Sequence, residues 1–162
     1  MSTILSPSFR FQIFLFFRFA IPMLGFAKPK IHVLDESKCI LKIPLSRRTK
    51  NHLGSMYFGA LCMGAEMSAG ILAIKLIRSQ NQKIDMVFKD IQANFVKRAD
   101  GDTYFVCECG DQIRQMIDQA RHSSDRVEQS ISGFAYVHNM NEPVMEYRLT
   151  ISVKNRSKSK GI

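Results

Sequence analysis

Apolar and polar residues alternate from Lys30 to Asp35 and again from Lys38 to Leu45, with Ile31 and Val33, then Cys39, Leu41 and Ile43, sharing a side. That period of two marks a pair of half-buried strands, joined by a turn at Asp35-Glu36-Ser37. A polar loop, Ser46 to His52, leads into an apolar segment whose spacing predicts one long helix from Ser55 to Ser79. Beyond Asn81 the period returns to two. Ile84, Met86 and Phe88 share a face, and Ile91, Ala93 and Phe95 follow in shifted phase, which predicts a β-bulge near Lys89 and Asp90. Ala99-Asp100-Gly101-Asp102 is a turn, after which Thr103 to Cys109 pairs back as the next strand. Gly110 to Ser123 has helical spacing at Ile113, Met116, Ile117 and Ala120 and is expected at the periphery. Two last alternating runs, Val127 to His138 and Pro143 to Lys154, form a hairpin across Asn139-Met140-Asn141-Glu142. Two strands, one long helix and four strands define an α+β fold, an antiparallel sheet curled around a central helix.

Ahead of this domain lies a phenylalanine-rich stretch, Phe9 to Phe26, interrupted by Arg18 and by Pro22. A membrane span wants about 20 uncharged apolar residues, and Arg18 sits mid-stretch. The same arginine breaks the apolar region that a signal peptide ending at Ala27 would need. The reading preferred here is an N-terminal aromatic helix, or two short ones divided at Pro22, whose apolar face covers the core or the mouth of a pocket. Peripheral contact of this segment with a membrane surface stays open. The chain thus divides into an aromatic helical segment at 1–29, one domain at 30–154 and a basic, Ser-rich, disordered tail at 155–162.

The 162 residues, 46% of them hydrophobic, suffice for one domain with a real core. The net charge of +9 is uneven: residues 1–50 carry nine Lys or Arg against two acids, while residues 101–162 carry eight of each. Such a distribution suits an anionic small ligand or a membrane surface as well as a polynucleotide. No zinc-finger, helix-turn-helix or RNP-like pattern accompanies it, so no nucleic-acid partner is expected. The four cysteines form no CxxC pair and the histidines no HExxH, which leaves no basis for a disulfide framework or a metal site.

Chemistry concentrates at one position. From Tyr57 to Ile74, eighteen residues, Glu66 is the only charged side chain. Steps of three, four and seven from it reach Gly59, Cys62, Met63, Ala69, Gly70 and Ala73, a stripe of small residues apart from Met63. Another backbone can approach closely there, and a carboxylate so placed is desolvated, which raises its pKa toward values useful in general acid or base work. The bland alternative is a carboxylate that fills a packing gap and reaches water or a backbone N–H.

Asn51-His52-Leu53-Gly54-Ser55-Met56-Tyr57-Phe58-Gly59, followed by Glu66, resembles the signature of hotdog-fold acyl-CoA thioesterases. In the phenylacetyl-CoA thioesterase-like branch the pattern is Asn-x-x-Gly-x-x-His-Gly-Gly, with Asp or Glu seven residues after the last glycine. Asn51, Gly54, Gly59 and Glu66 fall on that spacing. The N-terminal aromatic helix is shared with a closer branch, an uncharacterised thioesterase-like domain. The resemblance covers residues 30 to 154 and departs twice, with Tyr57 in place of the histidine and Phe58 in place of the first glycine.

The resemblance implies a cytoplasmic thioesterase that hydrolyses an acyl-CoA to a carboxylate and free coenzyme A. No cofactor is needed, coenzyme A being part of the substrate. By the same likeness Glu66 activates water or attacks the thioester, Asn51 holds the water or acyl group, and the Phe58 and Gly59 N–H groups form an oxyanion hole. The Tyr57 hydroxyl is placed to bind the thioester oxygen or a water. Arg47, Arg48, Lys97 and Arg98 are the cations assigned to the coenzyme A phosphates. A homodimer is implied, with Asn51 and Glu66 meeting from different chains, and a tetramer is the higher form to consider. The alternative from a binding class is a hotdog protein that holds acyl-CoA or a fatty acyl group without hydrolysing it.

Overall fold

The computed structural model describes residues 11–13, 15–80 and 83–158. Phe9, Arg10 and Phe14 of the aromatic stretch and residues 159–162 of the expected tail lie outside them. A π-helical turn, Phe16–Ala20, is followed by a short helix α1, Pro22–Phe26. Ile21 between them is extended (φ −134°, ψ 77°), as a residue before proline must be, and Pro22 takes the first helical position. Two short helices divided at Pro22 are therefore what the chain forms. Ile13, Leu24 and Ala27 are buried in the core, and Gln12 accepts a hydrogen bond from Arg78 that ties this segment alongside the long helix.

Six strands follow: β1 (Lys30–Leu34), β2 (Cys39–Ile43), β3 (Ile84–Phe95), β4 (Thr103–Cys107), β5 (Val127–Tyr136) and β6 (Met145–Asn155). They form one antiparallel sheet in the order β1-β2-β4-β5-β6-β3, curled around α2 (Phe58–Ser79). The bulge expected at Lys89 and Asp90 is present as a register shift between Phe88 and Asp90 against β6.

Three expectations are corrected. β4 does not pair back on β3 but inserts between β2 and β5. The intervening residues are no tight hairpin: the Val96 and Lys97 N–H groups donate to the Val144 carbonyl, and Ala99 accepts from the Met56 N–H, which carries the chain across the end of the sheet. α3 (Gly110–His122) is not peripheral, because Ile113, Met116, Ile117 and Ala120 are all within 1% of complete burial. An amphipathic pattern reveals which face is buried but not how deeply. Finally, part of the expected tail is structured: Asn155 is a buried strand residue paired with Ile84, and Arg156 opens a 3-10 turn, its N–H on the Lys83 carbonyl and its guanidinium on Asp85.

α2 is long and apolar enough to cross a membrane by length and composition, yet here it is the core helix of a sheet domain. Its rotation is fixed by a buried polar contact. The Ser68 and Tyr147 hydroxyls lie 2.7 Å apart, and the Tyr147 hydroxyl donates to the Val106 carbonyl at 2.9 Å. Two residues along a helix turn about 200°, so holding Ser68 to the sheet directs Glu66 to the opposite side.

Gly64 is a close approach of α2 to the sheet, where a Cβ would run into the fully buried Phe105 ring. Gly64→Ala is expected to destabilise the chain by about 1–3 kcal/mol, exceeding the roughly 1 kcal/mol that alanine gains over glycine as a helix former. A lowered urea midpoint checks this; an unchanged or raised one would show that Phe105 can move aside.

Candidate functional site

Glu66 projects from α2 toward β3 and the N-terminal segment, where it borders two adjoining hollows. One, of about 320 Å³, is lined with it by Cys62, Met63, Phe88, Lys89 and Ile91. The other, about 60 Å³ and almost wholly apolar, runs under the N-terminal segment between Phe16, Leu24, Gly70, Ile74 and Phe88. Gly70 makes the second hollow possible, since a Cβ there would meet the Phe88 ring at 3.3 Å. The aromatic segment therefore covers the mouth of a pocket, one of the two roles expected of it.

The Glu66 carboxylate is half-buried and has no hydrogen bond or ion pair among the described residues. Desolvation alone holds its pKa above the ordinary glutamate range. Lys89, the nearest cation in the lining, is bound to Glu128 at 2.7 Å and offers no compensation. Cys62, one turn away, is no competing nucleophile, because burial raises its thiol pKa and keeps it protonated. No backbone N–H among the described residues donates to the Glu66 carboxylate.

At the start of α2, Tyr57 is the N-cap in extended geometry (φ −66°, ψ 140°) and no side chain caps the helix. Its carbonyl accepts from the Ala60 and Leu61 N–H groups, and its own N–H donates to Thr49. The Phe58 and Gly59 N–H groups are thus the donors the first turn leaves over. Phe58 is 60% exposed and packs on Phe95, the last residue of β3, with ring centroids 5.2 Å apart. The Tyr57 ring lies over Gly59, where a Cβ would come within 2.6 Å of it.

The remaining residues are placed as follows. Asn51 is spent on its own loop: Oδ1 accepts from the Leu53 and Ser55 N–H groups, and Nδ2 donates to Ser55 Oγ. Lys97 pairs with Glu142 at 2.9 Å, and the Arg98 guanidinium donates to the Leu53 carbonyl, clamping the same loop. Arg47 is exposed, and Arg48 stacks over the Phe26 ring at 5.1 Å. Within one chain the structure does not unite the helix start with Glu66. Seven or eight residues at 1.5 Å rise separate them by roughly 10–12 Å along the axis, too far to act on one carbonyl.

Sequence reasoning expected the N-terminal segment at a pocket mouth but did not single out Phe16 and Leu24 as its lining, and it missed Phe88 and Lys89. The signal for Phe88 and Lys89 was present in the bulge; that for Phe16 and Leu24 was not, because the path of the N-terminal segment over α2 depends on tertiary packing. A wider hollow of about 660 Å³ lies on the outer face of the sheet among Gln92, Asn94, Ser132 and Arg148. Its lining also holds Glu108, Glu146 and Cys109, whose thiol pKa is lowered to about 6 by its hydrogen bond with Cys107. The Glu66 hollows, which join an acid on the core helix to an apolar cavity, are the candidate site.

A curled sheet around a helix of this kind, with its acid at mid-helix, defines a hotdog-fold protein. The chain belongs to the family described as a domain of unknown function, DUF4442, whose profile matches residues 11–155. It is similar to a solved protein of unknown function from Pseudomonas aeruginosa described as a probable thioesterase, at 22% identity and TM-score 0.76, covering 91% of this chain and 96% of that one. It is also similar to a thioesterase from Haemophilus influenzae, at 17% identity and TM-score 0.60, covering 82% of each chain. A Staphylococcus aureus thioesterase, solved as a mutant, shares 16% identity with TM-score 0.63 over 82% of this chain and 98% of its own. No curated protein matches.

The raised Glu66 pKa carries a stability consequence. Below the ordinary glutamate pKa the folded and unfolded chains both hold the proton and there is no penalty. As pH rises through the raised folded-state pKa, the unfolded chain has already ionised and stability is lost. Glu66→Gln should therefore raise the thermal midpoint at neutral pH, with the gain shrinking to nothing as pH falls below the ordinary glutamate range. A pH series of melting curves for the two proteins reads this directly, and a midpoint lowered at neutral pH would mean that the carboxylate is stabilised in the fold.

Proposed function

We propose that this protein is an acyl-CoA thioesterase that works as a homodimer. The observation that carries the reading is Glu66, a desolvated carboxylate with no partner among the described residues, set between a wide hollow and a narrow apolar one. Hydrolysis needs a base, an attacking water and donors for the oxygen that becomes negative. Glu66 removes a proton from water, the hydroxide adds to the thioester carbonyl, and the Phe58 and Gly59 N–H groups of the other protomer hold the oxyanion. Collapse expels the thiolate of coenzyme A, which takes up the proton held by Glu66. The acyl group lies along Gly70 under the N-terminal segment.

The 10–12 Å between helix start and acid is the reason for invoking two chains. β3 supports the same reading. It is an edge strand of 12 residues, and Val87, Ile91, Phe95 and Val96 on and just beyond it are all more than 40% exposed. A long apolar edge left open is an association site, and pairing of two β3 edges about a two-fold axis covers it. Arg98, fixed beside the loop that precedes α2, and Lys97, just beyond β3, are the cations assigned to the coenzyme A phosphates. The second reading, an acyl-CoA-binding protein without hydrolysis, draws on the Tyr57 ring that crowds Gly59.

Two substitutions test the chemistry on an acyl-CoA panel. Glu66→Gln should lower kcat by about 10²–10⁴-fold. Phe58→Pro removes a single N–H at a helical position where proline is tolerated and after a residue already extended. It should lower kcat by about 10²–10³-fold, whereas Phe58→Ala, which keeps the N–H, should not. Wild-type turnover equal to that of Glu66→Gln would remove Glu66 from the mechanism, and tight acyl-CoA binding by both without turnover would favour the binding protein.

A further inference from the structure

We infer that the N-terminal segment and the loop after β2 together form a docking face for an anionic lipid surface. Phe11, Met23 and Phe26 are between 55% and 70% exposed, while Ile13, Leu24 and Ala27 from the same segment are buried and Ile21 lines the narrow hollow. The segment therefore has an inner face that closes the core and a second apolar face turned to solvent. Large apolar side chains exposed side by side in a short stretch mark an interaction surface.

Charge identifies the occupant. The Arg48 guanidinium stacks on the Phe26 ring at 5.1 Å, which joins the cationic loop to the aromatic face in one patch. Lys28, Arg47, Arg48 and Lys50 are exposed, and none forms an ion pair among the described residues, in contrast to Lys38, Lys42, Lys89 and Lys97. The contributing sequence is free of acids: none occurs before Asp35, and none between Asp35-Glu36 and Glu66. A two-fold contact of this face with itself would set unpaired cations against unpaired cations. Anionic headgroups neutralise them, and the hydrocarbon boundary receives the methionine and phenylalanine side chains.

The placement has a geometric corollary. The residues that turn inward from this segment, Phe16 and Leu24, roof the narrow hollow beside Glu66. The face that meets lipid and the face that closes the pocket are two sides of one short stretch of chain. The inference holds whatever reaction the pocket performs, and its test uses no acyl-CoA.

The full chain is mixed with phosphatidylcholine vesicles, with or without phosphatidylglycerol, and vesicle-bound protein is measured by flotation. Binding should require phosphatidylglycerol and weaken as salt is raised, a readout needing no variant. Arg47→Ala with Arg48→Ala should reduce partitioning roughly 25-fold, about fivefold for each cation removed. Met23→Ser with Phe26→Ser should weaken it while melting at the wild-type temperature. Equal binding to both vesicle types, no binding to either, or variants that float like wild type would overturn the inference. So would sedimentation showing, without lipid, that Met23→Ser with Phe26→Ser dissociates a dimer, since the face would then belong to a second copy.

Discussion

Where α2 carries a glycine it has no side chain to reach outward and fill the core, so there the sheet has to come to it. The approach is close at Gly64, against the Phe105 ring of β4, and again at Gly70, against Phe88 of β3. These two contacts lie six residues apart on the helix and three strands apart in the sheet, so the sheet bends around α2 to make both. The bulge at Lys89 and Asp90 lets β3 follow the bend while staying paired to β6 on either side. Everything functional in the molecule is a residue of that wrapping. Where β3 runs past the helix start, its apolar side chains lose their cover; where it passes Glu66, it leaves a hollow.

Placing one acid in such a helix would ordinarily be a defect, because burial raises the free energy of the ionised form. The Ser68–Tyr147 contact makes the defect directional. It satisfies the polar groups on one side of α2 and obliges Glu66, two residues earlier, to face the other, where the sheet is open and the N-terminal segment closes over it. The carboxylate is held dry enough to be basic and open enough to meet a ligand. The same helix presents its unused N–H donors roughly two turns away. An acid and an anion-binding end on one rigid rod cannot serve a single carbonyl, and this separation turns a stability problem into an argument for two chains.

Much of this was legible in the sequence. Strand and helix periods placed all six strands and α2 to within a few residues, and even the phase slip at Lys89 and Asp90 survived as a bulge. Glu66 stood out because charge inside an apolar helix is costly wherever the helix is buried. What failed was information that is not local. The run of 103–109 looks like the return arm of a hairpin after a turn at 99–102, but strand partners are chosen by hydrogen bonds to distant residues such as Val144 and Met56. The depth of α3 depended on the sheet's curl, which no single segment encodes. Asn51 and Lys97 carry the right functional groups, yet the Ser55 loop and Glu142 engage them in this chain. Side-chain commitment is decided by neighbours that spacing does not reveal.

The charge distribution follows from the same division of labour. A chain of net charge +9 that spread its cations evenly would be merely soluble. Here the last 62 residues balance exactly eight bases with eight acids, and the excess falls on the N-terminal third, in the segment that lies over the Glu66 hollow and in the loop stacked on it. Ligands that combine a long apolar part with an anionic head meet both preferences on that side of the molecule and neither on the outer face of β5 and β6. Apolar side chains that would be better buried, and cations that would be better paired, persist there together. Their coexistence is explained by an amphiphile, since hydrocarbon alone would leave the arginines unmatched and a soluble anion would leave Met23 and Phe26 in water.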